Sequence, residues 1–133
     1  MTTRIERPLS PHLQTYRVTL TMAMSIIHRG TGMALYFGTL LLAWWLIATA
    51  AGPGAYAYVK AFTSSIIGKL ILFGYTWALM HHLCSGIRYF FWDLGYGFKP
   101  NEREALTWGA LIAGISLTVL VWIIAYATIG GGR

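Results

Sequence analysis

Three long stretches of this chain contain no charged side chain, at residues 30–59, 70–87 and 105–132. A helix rises 1.5 Å per residue, so about 18 to 20 apolar residues cross the roughly 30 Å of hydrocarbon in a bilayer. Each of the three stretches reaches that length. The pattern therefore predicts an all-α integral membrane protein with three transmembrane helices, at residues 21–51, 61–91 and 105–129.

The segments between these stretches contain the residues that end helices. Gly52, Pro53 and Gly54 are predicted to stop the first helix, because glycine and proline together break helical structure. Residues 55–60 are then expected to form a short outer loop, and residues 92–104, with two glycines, a proline and mixed charges, a second loop. Together with an N-terminal segment at residues 1–20, the chain is predicted to form one membrane-anchor domain over residues 1–133.

The basic residues are distributed unevenly around the predicted spans. The chain has a formal net charge of +6 with only 11% charged residues, whereas soluble domains carry about 25%. We therefore attribute the basic charge to membrane topology and expect lipid contacts but no nucleic-acid partner. Seven basic residues lie on one predicted side of the membrane and three on the other. The first group is Arg4, Arg7, Arg17, Arg29, Arg88, Lys99 and Arg103, and the second is Lys60, Lys69 and Arg133. The positive-inside rule then predicts a cytoplasmic N-terminus, a cytoplasmic 92–104 loop and a periplasmic C-terminus.

The second span contains two adjacent histidines, His81 and His82. An imidazole in hydrocarbon needs a hydrogen-bond or metal partner. Successive helical residues point about 100° apart, so the two rings cannot both face one site. The helix face of His82 carries the small neighbours Ala78, Ser85 and Gly86. The face of His81 is more crowded, with Trp77, Cys84 and Arg88. A flat, bulky cofactor could approach His82, which is therefore the favoured ligand.

The chemistry of the available ligands narrows the choice of metal. Zinc requires about four ligands, and no second His, Cys or carboxylate lies at ligand spacing within the spans. Haem needs only axial ligands, so one histidine per helix is sufficient. His12 precedes the first span and His28 lies at its entrance, so no other histidine is expected at the depth of His82. A six-coordinate haem would then take its second ligand from another subunit. The alternative is a histidine that hydrogen-bonds a neighbouring helix.

Three motifs in order carry a family resemblance: RPLSPHLQTYR at residues 7–17, SIIHRGTG at 25–32 and HLCSGIRYFFWDLG at 82–95. With the length and the three-span layout, the chain closely resembles the cytochrome b subunit of succinate dehydrogenase, the larger membrane anchor of respiratory complex II. The family pattern has S-x-x-H-R, H-x-x-x-G-[apolar]-R and then an acidic residue near a glycine. Tyr89 departs from the His or Phe that usually follows the arginine.

The resemblance implies a haem b whose axial ligand from this chain is His82, with the second histidine supplied by the smaller anchor subunit. It also implies that His28 and Arg29 reach the haem propionates. Ser25 and Arg29, at i and i+4, share a helix face and are expected to contribute to the quinone site, Ser25 as a donor and Arg29 as a stabilising charge. The alternative is that His28 and Arg29 anchor the helix at the headgroups, with Ser25 bonded to its own helix. Arg88 and Asp93 remain open between functional and interfacial roles.

The resemblance implies that the chain is a subunit of an enzyme but is not part of its catalytic head. A flavoprotein and an iron–sulfur subunit would pass electrons from succinate to ubiquinone at a site shared with this chain. The alternatives are an anchor of a quinol:fumarate reductase, a purely structural anchor without functional haem, and a transporter, which the lack of a central carboxylate disfavours. The Met1 start without a recognisable presequence favours a bacterial inner membrane over a mitochondrial one.

Overall fold

The computed structural model describes residues 17–130, and these residues form four α-helices and no strand. They are α1 at Leu20–Ala51, α2 at Pro53–Ser64, α3 at Ile66–Asp93 and α4 at Pro100–Gly130. The predicted N-terminal segment falls almost entirely on residues outside this range, as does nearly all of the motif at residues 7–17.

The three predicted membrane helices are confirmed. Three helical segments are long and apolar enough to cross a bilayer: Leu20–Ala51, Ile66–Asp93 and Pro100–Thr128. They contain 32, 28 and 29 residues, more than the 18 to 20 or so that a span requires. The all-α class therefore follows from charge-free length alone.

The segment predicted as an outer loop at residues 55–60 is helical, and the prediction is wrong there. Gly52, with φ of 104°, ends α1 and at once precedes α2, whose first residue is Pro53. Proline suits the first position of a helix because its fixed φ is helical and its missing N–H is not needed there. The Gly-Pro pair therefore stops one helix and starts the next.

Ser65 separates α2 from α3 and caps the start of α3. Its backbone is extended, and its hydroxyl oxygen accepts a hydrogen bond of 3.0 Å from the backbone N–H of Gly68. The end of α2 lies so close to Gly68 that a Cβ on this residue would clash with the carbonyl oxygen of Phe62. The predicted second span at 61–91 is therefore two helices, with α3 beginning at Ile66.

The loop predicted at residues 92–104 is shorter than expected, because α3 extends to Asp93 and α4 begins at Pro100. Charged residues need not interrupt a helix that extends beyond the hydrocarbon into water. In the first turn of α4 an exposed ion pair joins Lys99 Nζ and Glu102 Oε1 at 3.5 Å. Gly95 and Gly97 have φ of 85° and 81°, a left-handed conformation that glycine adopts without a steric penalty.

Helix α3 packs against all three other helices, most extensively against α4. Small residues of α4, Ala110 and Gly114, are buried at this contact, and a Cβ on Gly114 would lie 3.1 Å from the Cα of His81. Close backbone approach is how helices pack in membranes, where no hydrophobic effect drives them together. Helix α1 buries far less of its surface; Met24, Thr31 and Ala48 are its buried residues.

Candidate functional site

His28 of α1 and His82 of α3 meet in the space between their helices. Their ring centroids are 4.1 Å apart and the ring planes are inclined by 11°, so the two imidazoles are stacked. The ring of Tyr89 of α3 also contacts His28, with a centroid distance of 5.1 Å and an inclination of 55°. The structure thus brings together two of the histidines that the sequence indicated, on two different helices.

The environment of His82 fixes which ring nitrogen carries hydrogen. Its Nδ1 lies 3.2 Å from the backbone carbonyl oxygen of His28 and 3.4 Å from the hydroxyl oxygen of Thr31. A carbonyl oxygen can only accept, so Nδ1 is the protonated nitrogen and donates to it. The remaining nitrogen, Nε2, then keeps its lone pair. That is the state in which an imidazole binds a metal.

Thr31 and Gly32 allow α1 to receive this ring. Thr31 is buried, and its hydroxyl donates to the carbonyl of His28 at 2.9 Å. A Cβ on Gly32 would lie 3.0 Å from Cε1 of His82, tighter than ordinary van der Waals contact. Both residues belong to the SIIHRGTG motif at residues 25–32, but the sequence alone suggested no role for them. The signal in the sequence was the small Gly-Thr-Gly run at residues 30–32, directly after His28 and Arg29.

His81 lies on a different face of α3, in the contact with α4. It is fully buried, and its Nε2 lies 3.3 Å from the hydroxyl oxygen of Ser85. Trp77 stacks on the ring with a centroid distance of 5.3 Å, as expected for a residue four positions earlier. Ser85 was assigned to the face of His82, but at i+4 it lies nearer to His81. No room remains around this ring for a bulky ligand.

The expectation that no histidine on another helix lies at the depth of His82 is wrong, because His28 does. Helix α1 begins at Leu20, so His28 lies about 12 Å into the helix at 1.5 Å per residue. The stacked rings of His28 and His82 lie side by side, so they do not face each other across a space that could hold a metal ion.

Ser25 and Arg29 are one helical turn apart in α1, as predicted. Ser25 is half-buried and Arg29 is exposed. Within residues 17–130 neither side chain makes a hydrogen bond, so both keep their donors free toward the surface of α1. The structure does not bring Arg29 into contact with the stacked histidines.

A second polar cluster adjoins the histidine pair, and sequence reasoning had left its main residue open. Arg88 of α3 is 2% exposed, and its Nη1 donates to the hydroxyl of Thr107 in α4 at 3.0 Å. Its Cζ lies 5.0 Å from the ring centroid of Tyr89 and 4.9 Å from that of Trp92. Asp93, by contrast, is exposed. Arg88 is therefore a buried interior residue and not a headgroup anchor.

The donor set fits a cofactor that takes one imidazole from this chain. Among the described residues no group of three or more His, Cys, Asp or Glu is placed to hold a metal ion. His28 adds a buried Nε2 that has no hydrogen-bond partner within residues 17–130, next to the ring of His82. A haem would fit both features, because one imidazole from this chain could hold its iron and its carboxylate side groups would accept hydrogen bonds from neighbouring donors.

Fold and site together define a class: a small helical membrane protein with one metal-competent histidine between two spans. The sequence model described as "Succinate dehydrogenase/Fumarate reductase transmembrane subunit" matches residues 3–129. The chain belongs to this family, and the resemblance is confirmed.

Individual relatives agree along most of the chain. It is 41% identical over 123 residues to the succinate dehydrogenase cytochrome b556 subunit of Paracoccus denitrificans, which covers 92% of this chain and 95% of the relative. The cytochrome b556 subunit of Rickettsia felis is 40% identical over 118 residues, 89% of this chain and 92% of the relative. The mitochondrial cytochrome b560 subunit of Bos taurus is 40% identical, covering 89% of this chain and 66% of the relative. With three candidate spans and bacterial relatives, the chain is a multi-pass protein of the bacterial inner membrane.

Proposed function

We propose that this chain is the haem b-binding membrane-anchor subunit of a succinate:quinone oxidoreductase. In this complex a flavoprotein and an iron–sulfur subunit deliver electrons from succinate to ubiquinone at the membrane. The chain contains a single cysteine, so clusters held by several thiolates belong to the partners. Its own tasks are to anchor those partners, to hold haem b and to share the quinone site.

The observation that supports haem binding most directly is the orientation of His82. A backbone acceptor at 3.2 Å takes the hydrogen of Nδ1, which leaves Nε2 as the ligand atom. Metal-ligating histidines almost always donate their other N–H in this way, which fixes the tautomer and raises the basicity of the ligand. His82 would be the axial ligand of the haem iron, and the second axial histidine would come from a second small membrane-anchor subunit.

The donors beside His82 would hold the carboxylates of the same group. His28 has a buried Nε2 without a partner in the described residues, and Arg29 follows it on α1 with an exposed guanidinium. Both suit haem propionates, because a charged or protonated nitrogen forms strong hydrogen bonds to carboxylate oxygens. When bound, haem b supplies a one-electron redox centre inside the membrane.

Ser25 and Arg29 are proposed as this chain's share of the quinone site. A quinone head needs hydrogen-bond donors at its carbonyl oxygens, and the serine hydroxyl can donate directly. The guanidinium can stabilise negative charge that develops on the ring during reduction. Both side chains are free of other hydrogen bonds within residues 17–130, which supports an external partner. The names of the relatives favour succinate oxidation over fumarate reduction as the physiological direction.

The test compares two neighbouring histidines in the assembled complex. His82→Leu should abolish or strongly perturb the b-type α-band in dithionite-reduced minus oxidised spectra of membranes. His81→Leu, one position away, should retain six-coordinate low-spin haem, because His81 is enclosed between α3 and α4. Loss of the band in His81→Leu with retention in His82→Leu would contradict the assignment. Absence of the band in the unmodified complex would leave a purely structural anchor.

A further inference from the structure

Arg88 is a buried cation that has no counter-ion in the described part of the chain. One of its nitrogens, Nη1, is bonded to the neutral hydroxyl of Thr107, while Nε and Nη2 are buried without a partner. The three acidic side chains within residues 17–130 do not compensate it. Asp93, Glu102 and Glu104 are exposed, and Glu6 precedes the described residues. A guanidinium side chain carries a positive charge in proteins.

The groups around Arg88 keep the charge in place without neutralising it. The guanidinium carbon lies about equally far from the rings of Tyr89 and Trp92, at 5.0 Å and 4.9 Å from their centroids. Such cation–π contacts stabilise a cation by roughly 0.5 to 2 kcal/mol but carry no negative charge. Thr107 is itself bonded to the carbonyl of Arg103, which holds its hydroxyl in position. The site therefore retains a full positive charge in a low-dielectric interior.

This charge lies close to the stacked histidines. Tyr89 contacts both Arg88 and His28, with distances of 5.0 Å and 5.1 Å to its ring centroid. The guanidinium is therefore within about 10 Å of the His28 ring, a separation over which charges interact appreciably when little water intervenes. His28 in turn stacks on His82. No more than two aromatic rings separate the cation from the proposed iron ligand.

We propose that Arg88 raises the reduction potential of the haem bound at His82 through its uncompensated charge. Oxidised haem iron carries one more positive charge than reduced iron, so a nearby buried cation destabilises the oxidised form. The protein's main controls on such a potential are ligand identity, hydrogen bonding, burial and local charge. Arg88 contacts no atom that binds the iron, so it would act on the potential only through its charge. The inference rests on the proposed haem site and adds to it the residue that sets the potential.

The first experiment is a potentiometric titration of the α-band in membranes that contain the complete complex. Arg88→Gln removes the charge, and Arg88→Lys keeps it. At the wild-type midpoint, where half the haem is reduced, we expect Arg88→Gln to lower the ratio of reduced to oxidised haem about tenfold. For one electron this corresponds to a fall of 59 mV. Arg88→Lys should remain near the wild-type value. Equal shifts in both variants would show that packing and not charge is responsible, and an unshifted Arg88→Gln would also overturn the proposal.

A second pair of variants leaves Arg88 itself in place. Thr107→Asp sets a carboxylate beside Nη1 and should neutralise the cation, whereas Thr107→Asn supplies a neutral side chain of nearly the same shape. Only the Asp variant should lower the potential; equal potentials in the pair would overturn the proposal even if Arg88→Gln does not assemble. The haem content of the same membranes distinguishes a failure of the proposed haem site from a failure of the proposed effect of Arg88 on the potential. A normal α-band with no shift leaves the haem site intact, and a missing band in the wild type removes the site itself.

Discussion

At the scale of single residues, one backbone carbonyl determines what His82 can do. Without an acceptor the imidazole would exchange between tautomers, and either nitrogen could bind a metal. The carbonyl of His28, at 3.2 Å, selects the Nδ1-protonated form. Because Thr31 donates to that same carbonyl, the acceptor is held by a second bond on its own helix. A single turn of α1, from His28 to Thr31, thus sets the tautomer of His82.

We predict that Ser25 and Arg29 of α1 take part in the reduction of quinone. In assembled complexes Ser25→Ala should lower the rate of quinone reduction by tenfold or more, since each decade corresponds to about 1.4 kcal/mol of lost transition-state stabilisation. Arg29→Leu should lower it at least as much, because it removes a charge. Succinate oxidation with an artificial acceptor that bypasses the membrane should continue at the wild-type rate.

Thr39→Ala provides a matched control for these variants. Thr39 is also a hydroxyl residue on α1, but it is exposed and bonded to its own helix through the carbonyl of Tyr36. Its replacement should leave quinone reduction unchanged. Normal quinone reduction in both Ser25→Ala and Arg29→Leu would mean that the site lies wholly on other subunits.

Sequence reasoning could separate His82 from His81 because the 100° step between helical residues is fixed by the backbone. It could not predict that His28 stacks on His82, since a contact between residues 54 positions apart depends on how α1 and α3 cross. The burial of Arg88 could not be predicted from the sequence for the same reason. Its position near a helix end is compatible with a headgroup anchor, and only the packing of α4 against α3 buries it.

At the scale of elements, the junction between α2 and α3 is the part of the fold most sensitive to side-chain size. Gly68→Ala should destabilise the protein by about 1 to 3 kcal/mol, because the added methyl group meets the backbone oxygen of Phe62 and cannot be accommodated by a rotamer change. Gly74→Ala, on the same helix, has open space around the added atom and should be tolerated. Thermal denaturation of the purified complex measures the difference. Equal melting temperatures would mean that α2 does not pack on α3 in this way.

The long helices could be predicted because hydrocarbon thickness sets their length and charge-free runs reveal it. Helix α2 could not, since Gly52 and Pro53 were interpreted only as a stop. The same proline, however, is the preferred first residue of a new helix. With 12 residues α2 is also too short to cross a bilayer, and most of it continues the charge-free stretch at residues 30–59, so no separate apolar run reveals it.

At the scale of the whole molecule, the three spans bury little against one another. Only a few apolar side chains of residues 17–130 are fully enclosed, and most large ones face outward. Helix α1 is the extreme case among the spans, because only Met24, Thr31 and Ala48 are buried in its 32 residues. Lipid covers such a surface readily, but the donors of Ser25 and Arg29 on the same helix need polar partners. The proposed quinone and haem, together with a second membrane subunit beside α1, would supply them.

The basic residues predict the orientation of the whole bundle. Three of the ten lie before α1, Arg29 lies in the first half of α1, and Arg88, Lys99 and Arg103 lie near or between the end of α3 and the start of α4, so these parts should be cytoplasmic and the C-terminus periplasmic. Alkaline phosphatase fused after Gly52 or after Arg133 should be active, because that enzyme folds only in an oxidising compartment. A green fluorescent reporter inserted at Gly97, between α3 and α4, should fluoresce in the cytoplasm. The opposite pattern would place Ser25, Arg29 and the histidine pair near the periplasm, on the wrong side for a soluble iron–sulfur subunit to deliver electrons. Fluorescence at Arg133 would therefore contradict both the topology and the proposed quinone site.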